Sequence, residues 1–439
     1  DASEGRSGAS EKFGVALDIG TTTLVGTLVD LESGQDIAVE GIVNPQVSMG
    51  DDVISRIKKC REERDGLDLL NSAVIRAVNG IIKKLAEKAG IDHARITELS
   101  VAGNSAMQEI FCKIDPSSLG EVPFCPAFTD AQKLKAGDMG LGVADDADVF
   151  IFPQIRGFVG GDTVAGIVAE GLLERSGATL FIDIGTNGEI VLARDGRILA
   201  ASAAAGPAFE GARIINGMRA AAGAIERVDI ADNVNITVIG GKKAAGICGS
   251  GLIDAVAGFL NAGVLDSSGR ILSPDEAGTG VSGFVRDRIV AGQNGFDFVI
   301  AEKGESSLGR TLCLCQKDIR EFQLAVGAIR AGVNILLKME GIKPSDLDAV
   351  LLAGAFGNFI RRASAVRTGI IPDIDHDRVN FVGNTASLGA KLALVSDAGK
   401  ELAEKAGRAA KHIDLSKDPS FHDEFCDAMI FPVIDVSKV

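Results

Sequence analysis

Two segments of the sequence share a motif whose residue types can bind phosphate. The first is Asp18-Ile-Gly-Thr-Thr-Thr23, and the second is Asp183-Ile-Gly-Thr-Asn-Gly188. Each lies between two apolar runs typical of strands, which predicts a β-hairpin closed by a polar glycine turn. Consecutive backbone N–H groups in such a turn can bind an anion, and hydroxyl groups add further donors. The two copies are separated by about the length of one domain, so the chain is predicted to be duplicated.

The aspartate at the head of each segment cannot bind a phosphate directly, because like charges repel. A carboxylate can instead bind Mg²⁺, usually through water, and the metal then bridges to phosphate. The alternative for each copy is a hairpin turn with a structural aspartate, and the presence of two copies favours the functional interpretation. Glu189, directly after the second segment, is expected to begin the outgoing strand and to face solvent. The predicted phosphate contacts are Gly20, Thr21, Thr22, Thr23, Gly185, Thr186, Asn187 and Gly188.

A second pair of segments supports the duplication. Residues 99–111 and 350–360 each read as a strand, a glycine loop and a helix. A glycine turn between a strand and a helix is a place where a nucleotide can approach the backbone, although many tight turns need glycine for geometry alone. The residues of the later turn that we expect to contact nucleotide are Gly354, Ala355, Phe356, Gly357 and Asn358.

Three further segments are candidates for the same site. Gly206 begins a Gly/Pro loop, and Gly249 opens a helix directly after Cys248. Asp162 follows two glycines and either orients water or Mg²⁺ at a γ-phosphate or acts as a helix N-cap, with equal weight. The Cys248 thiol is favoured to be packed and inert over being reactive or bound to a cluster.

The composition excludes several classes of function. A net charge of −15 disfavours nucleic acid and anionic membranes as partners, and no apolar run is long enough to predict a membrane span. The absence of Trp and Tyr argues against stacking on bases. Seven cysteines without a CxxC pair predict reduced thiols in a cytoplasmic protein, and Cys313-Leu-Cys315 alone is a weak metal signal.

Alternation of strands and helices predicts an α/β protein of two or three domains. Helices are expected over 51–64, 68–89, 318–339 and 396–411, with Asp68 as an N-cap, Gly90 as a C-terminal stop, and a stripe of Leu324, Ile329, Val333 and Leu336. Residues 224–245 and 269–305 are expected to be insertions that add short strands. The expected domains are a linker or cloning remnant (1–12), a first subdomain (13–178), a second subdomain with insertions (179–395), and a C-terminal helix and tail (396–439).

The two DIGT hairpins and the LAGAFGN turn resemble the superfamily of acetate and sugar kinases, Hsp70 and actin (ASKHA). More narrowly, the chain resembles the ATP-dependent reductive activators of corrinoid proteins. The resemblance implies two duplicated ribonuclease H-like domains of the actin/hexokinase type, with a nucleotide cleft between them. The matching segments are VALDIGTTTLVGTLVDLESG, IVNPQVSMGDDVISRI, VAGNSAMQEIF, FIDIGTNGEIVL, AAAGPAFEG, ICGSGLIDAV, LAGAFGNFI and the final AMIFP.

The resemblance also implies an activity. Such proteins couple ATP binding and hydrolysis to reduction of cobalt from Co(II) to Co(I) in a corrinoid methyl carrier, so ATP and Mg²⁺ are the expected cofactors. The electron is expected from a ferredoxin-type [2Fe-2S] domain at the N-terminus. The sequence carries no four-cysteine cluster motif and does not begin with Met, so a piece without that domain is expected. A cytoplasmic homodimer is also expected.

Three alternatives remain at this point. One is a small-molecule kinase of the same fold, with Asp162 as a base. Another is a chaperone or scaffold like Hsp70, which the absence of a peptide-binding domain after residue 439 disfavours. The last is the activator of a radical dehydratase, which would bind a [4Fe-4S] cluster between subunits through cysteines such as Cys248.

Overall fold

The computed structural model describes residues 12–278, 280–354 and 360–433. Contacts between Cα atoms divide the chain into two compact units. The first comprises Asp1–Ser176, Asp195–Ala200 and Asn384–His412, and the second comprises Gly177–Arg194, Ala201–Gly383 and Ile413–Val439. The expected domain limits remain a prediction. The units differ from them in that the two helices after Asn384 group with the first unit.

Strands and helices alternate along most of the described residues, as the α/β prediction requires. The strands are β1 (Phe13–Ile19), β2 (Thr23–Asp30), β3 (Asp36–Val43), β4 (Ile96–Gly103), β5 (Gln132–Lys135), β6 (Asp148–Ile151), β7 (Ala178–Ile184), β8 (Gly188–Arg194), β9 (Arg197–Ala203), β10 (Ala224–Ile230), β11 (Val234–Val238), β12 (Gly246–Ile247), β13 (Ile289–Gly292), β14 (Gly295–Ala301), β15 (Leu312–Leu314), β16 (Ala349–Ala353), β17 (Val379–Gly383) and β18 (Ala410–His412). The helices are α1 (Val53–Glu62), α2 (Gly66–Ala89), α3 (Ser105–Phe111), α4 (Ala136–Met139), α5 (Gly161–Ala169), α6 (Gly249–Ala262), α7 (Gly283–Arg286), α8 (Gln316–Glu340), α9 (Arg362–Thr368), α10 (Thr385–Val395), α11 (Asp397–Ala409) and α12 (Phe421–Ala428).

The first unit is built on a sheet with the order β3-β2-β1-β4-β6-β5. The central strand β1 pairs antiparallel with β2 and parallel with β4. Helix α2 packs on this sheet at Gly26, where a Cβ atom would lie 2.6 Å from Ile81 and 3.3 Å from Leu85. A buried β1 carries the first predicted loop at its carboxyl end.

The second unit repeats this plan with the order β17-β16-β7-β8-β9, the last residues of β9 belonging to it. Strand β7 takes the place of β1, and β16 runs parallel to β7 as β4 runs parallel to β1. The prediction of a duplicated fold is therefore confirmed. Residues 224–245 and 269–305 contain β10, β11, β13 and β14, so these segments do add short strands.

The helix predictions are right in position and inexact at their starts. Asp68 is not an N-cap, because α2 begins at Gly66 after Asp65 and Asp68 lies in its first turn. Gly90 ends α2 in the left-handed conformation, with φ of 66°, as predicted. On α8, Leu324 is 38% exposed, whereas Ile329, the next residue of the predicted stripe, is buried.

Helix α8 is also the one described helix that is long and apolar enough to cross a membrane. In its most apolar window, 72% of the residues are buried inside the protein. Such burial is typical of the core helix of a globular unit.

Candidate phosphate-binding site

The first glycine loop is a tight turn between β1 and β2. The amide of Gly20 donates to the carbonyl of Thr23 at 3.0 Å. A Cβ atom at Gly20 would lie 2.6 Å from that oxygen, so the turn has no room for a side chain there. The predicted hairpin geometry at Gly20–Thr23 is confirmed, and the roles of Thr21, Thr22 and Thr23 toward phosphate remain a prediction.

Asp18 lies near the carboxyl end of β1 and is partly exposed. Its carboxylate accepts a hydrogen bond of 2.8 Å from Nδ2 of Asn384, within the first unit. Burial raises the pKa of Asp18 to about 6, and the bond from Asn384 opposes this rise. Asn384 is the N-cap of α10, and its Oδ1 accepts from the amide of Ser387. Asn384 was not among the predicted site residues, although an Asn directly before a helical pattern is a recognisable cap signal.

Asp162 lies one residue inside α5, whose N-cap is Gly160. The alternative that Asp162 is itself the N-cap is therefore wrong. Its Oδ1 accepts a hydrogen bond of 2.7 Å from the amide of Thr163. Burial is the main cause that raises the pKa of Asp162, and the negative charge of Asp18 raises it further. The fold thus brings two predicted acidic residues within electrostatic reach of each other.

Asn104 is a second amide side chain at this site. It caps α3, and its Nδ2 donates to Oγ1 of Thr21 at 2.9 Å. Because β4 runs parallel to β1, with Gly103 opposite Ile19, the cap lies beside the first loop. The glycine loop within residues 99–111 was predicted from the sequence, whereas Asn104 was not among the predicted site residues.

The donor set of the first unit is compatible with Mg²⁺. Asp18 and Asp162 are partly exposed carboxylates; burial disfavours the charged form of each, and the negative charge of Asp18 adds to this effect at Asp162. Within the described residues, no three His, Cys, Asp or Glu side chains form a metal-binding group. Mg²⁺ is usually held by one or two carboxylates and keeps several waters. Two carboxylates therefore suit binding through water, as predicted for Asp18.

The second loop has the same form as the first. It joins β7 to β8, and Gly185 donates to the carbonyl of Asn187 at 3.0 Å. Thr186 donates its hydroxyl to Oε1 of Glu210. Glu210 ends a short 3-10 helix that follows Gly206, so the Gly/Pro loop does lie at the second glycine loop.

The turn after β16 begins beside Asp183. Ala353 is opposite Asp183 in the parallel pair, and Gly354 has φ of 99°. A Cβ atom at Gly354 would lie 2.6 Å from the carbonyl oxygen of Ile184 and 2.8 Å from Oδ1 of Asp183. The other predicted residues of this turn, Ala355, Phe356, Gly357 and Asn358, lie outside the described residues.

Two expectations in the second unit have different outcomes. Glu189 does begin β8, as Gly188 and Glu189 are its first residues, but it is 9% exposed and does not face solvent. The hydroxyl of Ser202, on the neighbouring strand β9, donates to its Oε1 at 3.3 Å. Gly249 opens α6 as expected and is buried, while its contact with nucleotide remains a prediction.

Cys248 is packed inside the protein, whereas Cys313 and Cys315 are partly buried. Cys248 is 1% exposed, and its Sγ donates to the carbonyl of Ile225 at 3.3 Å. Burial is the main cause that raises the pKa of Cys313 and of Cys315. Raised thiol pKa values lower the fraction of reactive thiolate at neutral pH.

Comparison with known proteins gives matches along nearly the whole chain. A family model described as the C-terminal domain of RACo, the ASKHA domain, matches residues 177–439. A second, described as the RACo middle region, matches residues 13–175. The corrinoid activation enzyme RamQ of Eubacterium limosum is 36% identical over 415 residues, which cover 94% of this chain and 69% of that protein.

Two more relatives agree with these matches. The [Co(II) methylated amine-specific corrinoid protein] reductase of Methanosarcina barkeri is 26% identical, over 94% of this chain and 75% of its own length. A solved structure of a reductive activator for corrinoid, iron-sulfur protein has a TM-score of 0.86 and 37% identity, covering 98% of this chain and 68% of that one.

The repeated sheet order and the paired glycine loops define an ASKHA protein with duplicated ribonuclease H-like folds. Within that class, the chain belongs to the RACo family of corrinoid-protein activators.

Proposed function

We propose that this chain binds Mg-ATP and couples its hydrolysis to reduction of Co(II) to Co(I) in a corrinoid protein. The observation that carries the proposal is the repeated placement of an aspartate and a tight glycine loop at the end of each central strand, β1 and β7. Names of relatives support the corrinoid partner, because they describe corrinoid activation and reduction of a Co(II) corrinoid protein.

In the proposed site, the two loops bind phosphate through backbone N–H groups and hydroxyls. The proposed contacts are Gly20, Thr21, Thr22, Thr23, Gly185, Thr186, Asn187, Gly188, Gly206, Gly249 and the turn from Gly354 to Asn358. Asp18 and Asp183 would hold Mg²⁺ through water, and the ion would supply positive charge close to the phosphates.

Asp162 is suited to handle the proton of the attacking water. Its raised pKa makes proton acceptance near neutral pH more favourable than for an ordinary aspartate. In hydrolysis, a water oxygen bonds to the γ-phosphorus while the bond to the oxygen of the β-phosphate breaks. The products are ADP and inorganic phosphate, and the proton lost by water passes through Asp162 to solvent.

The coupled step is a one-electron reduction, in which Co(II) gains an electron from a low-potential donor of the ferredoxin type. For one electron, about 30 mV corresponds to about 0.7 kcal/mol. A gap of several hundred millivolts therefore costs several kcal/mol. We propose that binding and hydrolysis of ATP supply this free energy through a conformational change transmitted to the corrinoid protein. A homodimer is the proposed assembly.

A small-molecule kinase is the second candidate, because an aspartate such as Asp162 could also deprotonate an acceptor hydroxyl. It predicts phosphoryl transfer to a metabolite instead of to water. The activator of a radical dehydratase is disfavoured by Cys248, which is 1% exposed and bonded to a carbonyl. Cys248→Ala is expected to leave corrinoid activation unchanged.

The test combines the chain with a [2Fe-2S] ferredoxin-type donor, a chemical reductant and a Co(II) corrinoid protein, and follows the visible spectrum. An ATP-dependent Co(I) band is expected, with little or no band when a non-hydrolysable analogue replaces ATP. Phosphorylation of a metabolite without any Co(I) band across cognate corrinoid proteins would favour the kinase and reject the proposal.

A further inference from the structure

A buried polar cluster lies behind the first glycine loop. It consists of Asn44, Gln46 and Arg56, each 0% exposed. All three belong to the segment IVNPQVSMGDDVISRI, which the proposed function leaves without a role. Fully buried polar side chains are costly unless they are bonded, so their partners indicate what they do.

The cluster binds the carbonyl oxygens of the loop. Nδ2 of Asn44 donates to the carbonyl of Gly20 at 2.9 Å. The backbone N–H of Asn44 donates to the carbonyl of Thr22, also at 2.9 Å. Nη2 of Arg56 donates to the carbonyl of Thr21 at 2.5 Å. A free carbonyl oxygen carries negative partial charge that repels phosphate. These bonds neutralise much of that charge and fix the orientation of each peptide.

The remaining contacts of Arg56 are with neutral acceptors. Nη1 donates to Oε1 of Gln46 at 3.0 Å and lies 3.0 Å from Sδ of Met107, and Nε donates to the carbonyl of Gly50 at 2.9 Å. Among the described residues, no carboxylate forms an ion pair with this guanidinium. Burial lowers the pKa of Arg56 to about 10, and the negative charges of Asp52 and Asp51 oppose the shift, so the side chain stays charged at neutral pH.

A buried charge without a counter-ion in direct contact is unfavourable, and an anion at the loop would supply a close partner in addition to the more distant Asp51 and Asp52. We propose that Arg56 is a positioning residue of the first loop and the local counter-charge for a nucleotide phosphate bound there. Through the Thr21 peptide it holds the loop in its binding geometry, and its positive charge favours phosphate over an uncharged ligand. This inference rests on the proposed nucleotide function.

The competing explanation is that Arg56 only stabilises the fold. If the role is purely structural, substituting Arg56 weakens the binding of every ligand of the site to the same extent, or of none. A counter-charge must instead act in proportion to the charge of the ligand, and more strongly at low ionic strength. The affinities for adenosine, ADP and ATP therefore separate the two explanations.

The experiment measures these affinities by titration calorimetry on the full chain, in wild type, Arg56→Gln and Arg56→Lys. Arg56→Gln keeps a donor but removes the charge, and ADP and ATP are expected to bind at least about tenfold more weakly while adenosine stays within about twofold. Arg56→Lys keeps the charge, and ATP is expected to stay within about threefold of wild type. The control is Arg367→Gln in the second unit, since Arg367 is also buried, at 9% exposed, and bonded to Asn261.

Equal weakening of adenosine and ATP in Arg56→Gln, or wild-type affinity for both, would overturn the inference while leaving the proposed function standing. If Arg56→Gln does not fold by circular dichroism, Arg56→Lys decides, and a tenfold loss of ATP with adenosine unchanged would reject the counter-charge. Wild-type chain that binds no nucleotide would reject both proposals together.

Discussion

Replacing Asp18 by Asn is expected to stabilise the nucleotide-free chain while weakening Mg-ATP binding. Burial raises the pKa of Asp18 from 3.8 to about 6 in the folded state. The Asp18 carboxyl therefore ionises at lower pH in the unfolded chain than in the folded chain. It follows that the free energy of unfolding falls as pH rises from about 4 to about 6. Above about pH 6 the folded chain bears the full destabilisation that comes from ionising buried Asp18.

The two pKa values set the size of the effect. A pKa of about 6 against 3.8 corresponds to about 3 kcal/mol above pH 6 and to about half of that at pH 5. Because Asp18 is partly exposed and accepts a hydrogen bond from Asn384, solvent and the retained bond reduce the gain. We expect Asp18→Asn to raise the free energy of unfolding by about 2 kcal/mol at pH 8 and by about 1 kcal/mol at pH 5.

Urea unfolding followed by far-ultraviolet circular dichroism measures this difference, since the chain has no Trp or Tyr for intrinsic fluorescence. Nucleotide and Mg²⁺ are omitted, and Asp130→Asn, an exposed aspartate in the same unit, is the control. Asp130→Asn is expected to change stability by less than about 0.5 kcal/mol at either pH. A destabilised Asp18→Asn chain, or a gain that does not grow between pH 5 and pH 8, would refute the reasoning.

Two further substitutions test local geometry. Gly354→Ala is expected to lower the free energy of unfolding by about 2 kcal/mol and to weaken ATP binding, because Gly354 has φ of 99° and an added Cβ would lie 2.6 Å from the carbonyl of Ile184. Urea unfolding measures the stability and calorimetry measures the binding. Wild-type values in both would contradict the assigned strain. Gly80→Ala, in helix α2 with no atom within 4 Å of the added Cβ, is the matched control and should stabilise the chain by about 1 kcal/mol. Asp254→Asn is expected to lower the free energy of unfolding by about 3 kcal/mol in urea, because Asp254 is 1% exposed and its Oδ2 lies 2.7 Å from Nη2 of Arg361. A loss below about 1 kcal/mol would show that this ion pair does not stabilise the fold.

The parts of the site that repeat within a few residues could be predicted from the sequence. An aspartate, a glycine and polar donors between two apolar runs specify a hairpin turn locally, and both turns have that form at Gly20 and Gly185. The duplication predicted from these motifs is visible in the strand orders of the two units. Gly354 was also predictable, because a strand followed by glycine-rich residues requires a turn.

The partners that come from distant segments could not be predicted. Asn384 contacts Asp18 from far along the chain, because α10 belongs to the same unit as β1. The contact of Arg56 could not be predicted either. Nothing in a charged residue of a helical pattern indicates that its guanidinium donates to the carbonyl of Thr21. Glu189 was predicted to face solvent, whereas successive residues of β8 are buried, so both faces of this strand lie inside the protein.

The proposed function depends most on the repeated aspartates, Asp18 and Asp183, as ligands of Mg-ATP. The most direct measurement is the affinity for Mg-ATP of Asp18→Ala and Asp183→Ala, by calorimetry on chains whose folding is verified by circular dichroism. Each substitution is expected to weaken Mg-ATP by at least about tenfold while adenosine binding stays within about twofold. Wild-type affinity for Mg-ATP in either folded variant would contradict the account.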